Sequence, residues 1–138
     1  MRVLLDTQAL LWFLLDDPKL SDAATAVIGH PGSEVLVSPA SYWEIAIKIS
    51  LGKYALDEPV SAFFERELQA NQFTILPILP RHAAQVAELP FHHRDPFDRL
   101  IIAQALVEDV PVVSSDAQWD AYAVHRLWQS GSETSATP

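Results

Sequence analysis

Four short aliphatic runs, at 2–5 (RVLL), 34–37 (EVLV), 73–76 (FTIL) and 111–114 (PVVS), alternate with stretches that carry helical start and stop signals. That alternation restricts the fold more than any other feature. Runs this short, with apolar residues at consecutive positions, suit strands covered on both faces. Between them, a helical pattern over 7–15 is stopped by Asp16, Asp17 and Pro18, and Ser21 can cap a short helix ending near Gly29. Ser38 and Pro39 open a further helix that Gly52 closes. Helices are also expected over 59–71, 81–88 and 96–108, with a helical turn opening at Asp116 and a last, mixed strand at 122–128. Strands alternating with helices require crossover connections. The expected fold is therefore α/β, with a mostly parallel central sheet of four to five strands flanked by helices. One domain spans 1–128, and 129–138 (QSGSETSATP) reads as a flexible tail.

Composition narrows the function classes. The 138 residues include no cysteine, which excludes disulfide frameworks, thiolate zinc sites and a cysteine nucleophile. With 9 basic against 18 acidic residues, the net charge is −9, so a broad basic face that coats nucleic acid is excluded. A protein that meets phosphate only at a bound cation is not. No apolar stretch approaches the roughly 18 residues of a membrane span. The apolar N-terminal run is interrupted by Asp6, Asp16 and Asp17 and lacks a small-residue cleavage site, so no signal peptide is expected. The expected location is cytoplasmic, without membrane association.

The acids fall at informative places. In a parallel α/β sheet, ligands bind outside the carboxyl ends of the strands. Asp6 ends the first run and Asp116 follows the fourth by two residues, which places both at one edge of such a sheet. Glu44 lies in the helix after the second run, within reach of that edge, and Asp95 and Asp98 bracket the first turn of a later helix. At ~4 Å two like charges repel by about 4 kcal/mol at an effective dielectric near 20. Shared protons, basic partners or a divalent cation must offset this, and a hard cation such as Mg²⁺ or Mn²⁺ is the simplest of these. Each acid also has an ordinary structural reading. Asp6, Asp95 and Asp116 suit helix N-caps, Glu44 could close a capping box with Ser41, and Asp98 favours a helix dipole. Taken singly, no acid decides between the two.

The combination is more specific. LLDTQALLWFL, SYWEIAIKISLGK, HRDPFDRLIIAQA and VVSSD, in this order and spacing, resemble a PIN-domain ribonuclease, in particular the VapC-type toxins of type II toxin–antitoxin pairs. The resemblance runs over about 2–128. It implies that Asp6, Glu44, Asp98 and Asp116 hold one or two Mg²⁺ or Mn²⁺ ions and promote hydrolysis of single-stranded RNA. Asp95 becomes a secondary contributor, and Thr7, Ser38 and Ser115 could place hydroxyls at the same edge. Lys48, Lys53, Arg94 and Arg99 are candidates for phosphate contacts, with salt bridges to nearby acids as the alternative. His92 and His93 are expected to serve the loop rather than the chemistry. Two positions depart from the family pattern: Gln8 stands where a histidine is common, and Ser114 where threonine is common. Neither removes a carboxylate. The resemblance also implies a homodimer and a cognate antitoxin that lays an apolar segment into a groove and covers the acids. Trp12, Phe13, Trp43, Phe63 and Phe64 are expected mostly in the core, with some surplus on one face. Two other readings compete. One is a catalytically inactive PIN fold that only binds a partner. The other is a different Mg²⁺-dependent phosphohydrolase, disfavoured because Gln8 occupies the position where an aspartyl-phosphate enzyme carries its second aspartate.

Overall fold

The computed structural model describes residues 1–129. The predicted tail, apart from Gln129, lies outside the described residues. Five strands, β1 (Arg2–Leu5), β2 (Glu34–Val37), β3 (Thr74–Ile75), β4 (Val112–Val113) and β5 (Arg126–Leu127), pair in the order β3-β2-β1-β4-β5. Every pairing is parallel. Six α-helices supply the crossovers: α1 (Thr7–Leu14), α2 (Asp22–Gly29), α3 (Pro39–Ser50), α4 (Val60–Ala70), α5 (Pro80–Glu88) and α6 (Pro96–Glu108). A 3₁₀ turn at Ala117–Ala121 follows β4. None of these helices is long and apolar enough to cross a membrane.

The uninterrupted aliphatic runs follow from a sheet buried on both faces. Val3, Leu5, Val35, Val37 and Val113 point to one face and join Leu10, Leu11 and Ile28 from α1 and α2. Leu4, Leu36 and Val112 alternate to the other and meet Ile101, Ile102 and Ala105 of α6, with Trp119. Each large apolar side chain so buried contributes about 1.5–3 kcal/mol. Helix starts follow the sequence closely. Ser21 and Ser38 accept hydrogen bonds from the amides of Ala24 (3.0 Å) and Ala40 (3.1 Å). Gly52, at φ +76°, takes the left-handed conformation just past the end of α3, where a side chain would be strained. The runs at 73–76 and 111–114 form ladders only at their centres, and that at 122–128 only near its end. Phe73 and Leu76 are buried beyond the ends of β3 and pack in opposite clusters, so their apolarity reports packing rather than strand pairing.

The strand order places a topological switch at β1. The chain builds β2 and β3 on one side of it, then returns to add β4 and β5 on the other. The crevice outside the carboxyl ends of β1 and β4 is thereby the natural ligand position of this sheet.

Arg99 does not reach that crevice, which corrects its expected role as a phosphate contact. It is 5% exposed, and its guanidinium donates to the carbonyls of Pro90 (2.9 Å), Val86 (3.1 Å) and Leu89 (3.3 Å) beneath the ring of Phe91. In the first turn of α6 it faces the end of α5 and ties the two helices together. Arg99→Ala is expected to lower stability by about 3 kcal/mol, read from urea unfolding, because three buried or partly buried carbonyls lose a charged donor. Arg99→Lys should recover little, since one ammonium cannot reproduce the planar fork.

Candidate active site

Asp6 follows β1 directly, and its amide donates to the carbonyl of Val113 at 3.1 Å, so the end of β4 fixes its position. Its Oδ1 accepts from the amide of Ala9 at 2.7 Å, capping α1. Asp6 is thus a helix cap and at the same time lines the crevice. Asp116 behaves likewise: Oδ1 accepts from Gln118 at 2.9 Å, opening the 3₁₀ turn, while the carboxylate faces the other acids. Asp95 caps α6 by accepting from Phe97 (2.8 Å) and Asp98 (3.1 Å). Asp98, in the first turn of α6, projects into the crevice. Glu44 comes from α3, but the capping box with Ser41 does not form. Ser41 instead accepts a hydrogen bond from Thr7 Oγ1 at 3.1 Å, which joins α1 to α3, and Glu44 is left pointing inward.

These elements enclose a cleft of about 280 Å³ lined by Asp6, Thr7, Gln8, Leu11, Glu44, Lys48, Tyr54, Asp95, Asp98, Ser115 and Asp116. Five carboxylates therefore face a single lysine among the described residues that line it. The imbalance is visible in the acids themselves. Burial, reinforced by the charges of Asp116 and Glu44, pushes the carboxyl of Asp6 up to about 6 against hydrogen bonds from Ser114 and Ala9 that lower it. Burial and then the charges of Asp95, Asp6, Glu44 and Asp116 push Asp98 up to about 7. Glu44 is 8% exposed, and its Oε1 has no hydrogen-bond partner, while Oε2 lies 3.4 Å from Lys48 Nζ. An unpartnered buried oxygen among acids that resist ionisation fits a divalent cation with oxygen ligands. The donor set is hard, mostly carboxylate, and suited to Mg²⁺ or Mn²⁺.

Of the secondary candidates, Thr7 and Ser115 line the cleft and Ser38 does not: its hydroxyl is committed to capping α3. Lys48 faces the acids, while Lys53 and Arg94 are exposed. The contacts that two further residues make with the acids were not anticipated. Ser114, fully buried, bonds Asp6 and accepts from the amide of Asp116 at 3.1 Å, linking the two strand-end acids. His93, in the loop before α6, is buried, with Nε2 3.1 Å from Asp116 Oδ2. The ligand atoms of His93, Asp98 and Asp116 all lie within 4.8 Å of one another. A histidine two residues ahead of an N-cap carries no periodic signal, so only its adjacency to the DPFD stretch could have pointed to it.

A five-stranded parallel sheet of this order, with a carboxylate cleft at its switch point, defines the class: the chain belongs to the PIN domain family, whose sequence model matches residues 3–124. Among individual proteins, it is similar to Ribonuclease VapC22 of Mycobacterium tuberculosis (strain ATCC 25618 / H37Rv). The two are 31% identical over 115 residues, which cover 83% of this chain and 86% of that protein. The fold is shared with VapBC2 from Rickettsia felis, solved bound to a promoter DNA fragment, at TM-score 0.71 and 14% identity over 94% of this chain and 100% of that one. It is shared also with FitAcB from Neisseria gonorrhoeae, at TM-score 0.63 and 20% identity over 91% and 96%.

Proposed function

We propose that this protein is a metal-dependent endoribonuclease toxin that hydrolyses phosphodiester bonds in single-stranded regions of RNA and is inhibited by a cognate antitoxin. The observation that carries the reading is the convergence of Asp6, Glu44, Asp98 and Asp116, from four separate parts of the chain, on one cleft with a single facing lysine. These four side chains would hold one or two Mg²⁺ or Mn²⁺ ions. Such an ion supplies charge neutralisation at the scissile phosphate and acidifies water for attack on phosphorus. Asp6 and Asp116, fixed by strand ends and helix caps, form a rigid floor for it. The unpaired Oε1 of Glu44 is placed to orient a water or hold its proton. Lys48 at the rim can exchange its contact with Glu44 for one with a substrate phosphate, and Lys53 and Arg94 extend the same role outward.

The relative named as a ribonuclease supports the substrate class, and a neighbour of the same fold is a toxin–antitoxin complex from Klebsiella pneumoniae. Exposed apolar side chains suit association with an antitoxin and with a second copy of the chain in a homodimer: Trp43 is 63% exposed, Leu51 65% and Phe91 84%. A basic antitoxin side chain would match the acidic cleft. A cytoplasmic setting follows from the same reading.

The test is cleavage of labelled single-stranded RNA by protein stripped of metal and then given Mg²⁺ or Mn²⁺. Cleavage is expected only with the ion present, is abolished by chelator, and is suppressed by the small protein encoded beside this chain. Undiminished cleavage in chelator, or none with either ion on any single-stranded RNA, would overturn the assignment, the latter in favour of a partner-binding module.

A further inference from the structure

His93 sits in the loop that enters α6, and it is 8% exposed. The Tyr122 hydroxyl accepts hydrogen bonds from the amides of His92 (3.2 Å) and His93 (2.8 Å), pinning the loop backbone. The imidazole lies edge-on to Trp119 and tilted against Tyr122, with ring centroids 6.4 and 5.8 Å apart. So held, the ring presents Nε2 3.1 Å from Asp116 Oδ2 and 3.9 Å from Asp98 Oδ2. Nδ1 is buried and has no hydrogen-bond partner. A nitrogen facing carboxylate oxygens must carry the hydrogen, and one facing nothing is better bare, so the geometry selects the Nε2–H tautomer.

The other oxygen of Asp116 is taken by the amide of Gln118. His93 and Gln118 therefore grip the carboxylate at both ends and remove its freedom to rotate. We propose that His93 is a positioning residue, whose Nε2–H fixes Asp116 Oδ2 beside Asp98 and so sets the spacing of two carboxylates that share a cation. The proposal rests on the reading of the cleft as a metal site. Hydrogen-bond partners of ligating groups commonly govern metal affinity by 10- to 100-fold without touching the ion.

Mn²⁺ alone is the probe, followed by electron paramagnetic resonance titration alongside thermal unfolding. His93→Phe keeps a ring between Trp119 and Tyr122 but deletes the donor. It is expected to unfold near the wild-type midpoint and to bind Mn²⁺ about 10- to 100-fold more weakly. His93→Gln, whose amide nitrogen reaches about as far as Nε2, is expected to recover most of that loss, whereas the shorter His93→Asn is not. Wild-type affinity in His93→Phe overturns the proposal. So does a His93→Gln as weak as His93→Phe, because the imidazole would then ligate the ion itself. If His93→Phe does not fold, the contrast between Gln and Asn decides, and equal affinities overturn it. A wild-type protein that takes up no Mn²⁺ overturns instead the assignment of the cleft.

Discussion

Asp6→Asn is expected to leave the fold intact and to reduce single-stranded RNA cleavage by at least about a hundredfold. Both halves follow from the two roles of this side chain. Asparagine caps helices about as well as aspartate, so the bond to the Ala9 amide survives and α1 still starts at Thr7. The charge does not survive. Asp6 is 5% exposed and lines the cleft, held there by the amide hydrogen bonds to Val113 and Ala9. Loss of a ligand's supporting partner already lowers metal affinity or activity by 10- to 100-fold, and loss of the ligand itself should do more. The check is single-turnover cleavage at saturating Mg²⁺, with circular dichroism on the same sample. Undiminished cleavage by a pure, folded variant would falsify the site.

The second large effect concerns stability and has the opposite sign. In the metal-free protein, Asp98 is pushed up to about 7 and Asp6 to about 6, against an ordinary value of 3.8. Between those limits the folded state holds protons that the unfolded chain has released. Stability is therefore greatest below about pH 4 as far as these groups are concerned, and it is lost as the pH rises through 6 and 7. Asp98→Asn removes an unfavourable charge at its most exacting position. It should stabilise the metal-free protein at pH 7.5 by about 1–2 kcal/mol, a figure reduced for the partial exposure of the side chain, and flatten the pH dependence. Mg²⁺ should raise the unfolding midpoint of the wild type but much less that of the variant. A metal-free wild type whose midpoint is level or rising from pH 5 to 7.5, or an Asp98→Asn variant less stable than wild type, would contradict this account. A chain that becomes sturdier as it loses its chemistry is what a strained site predicts.

The fold was legible where local rules and burial agree. α6 runs over Pro96–Glu108 as its proline and its Asp95 cap indicate, and β1 and β2 have the expected ends. Strand limits in β3, β4 and β5 were not legible, because apolarity marks packing while a ladder needs a partner that only the tertiary fold supplies. Asp6, Asp98 and Asp116 could be picked out because they follow strands or open a helix on one edge of a parallel sheet, and Glu44 only because its helix follows the second strand and matches the family pattern. What the sequence hid is the network behind them. The inward ring of His93, the bridge from Ser114 to Asp6 and the burial of Arg99 depend on contacts between segments far apart in the chain. No spacing rule encodes such contacts.

The placement of β4 beside β1 has a consequence for biosynthesis. Leu4 and Leu5 cannot find Val112 and Val113 until nearly the whole domain has emerged from the ribosome, and Asp116 emerges later still. Contacts of such long sequence separation form slowly. A nascent or prematurely terminated chain ending before that point would carry Asp6, Glu44 and even Asp98, yet hold no closed cleft.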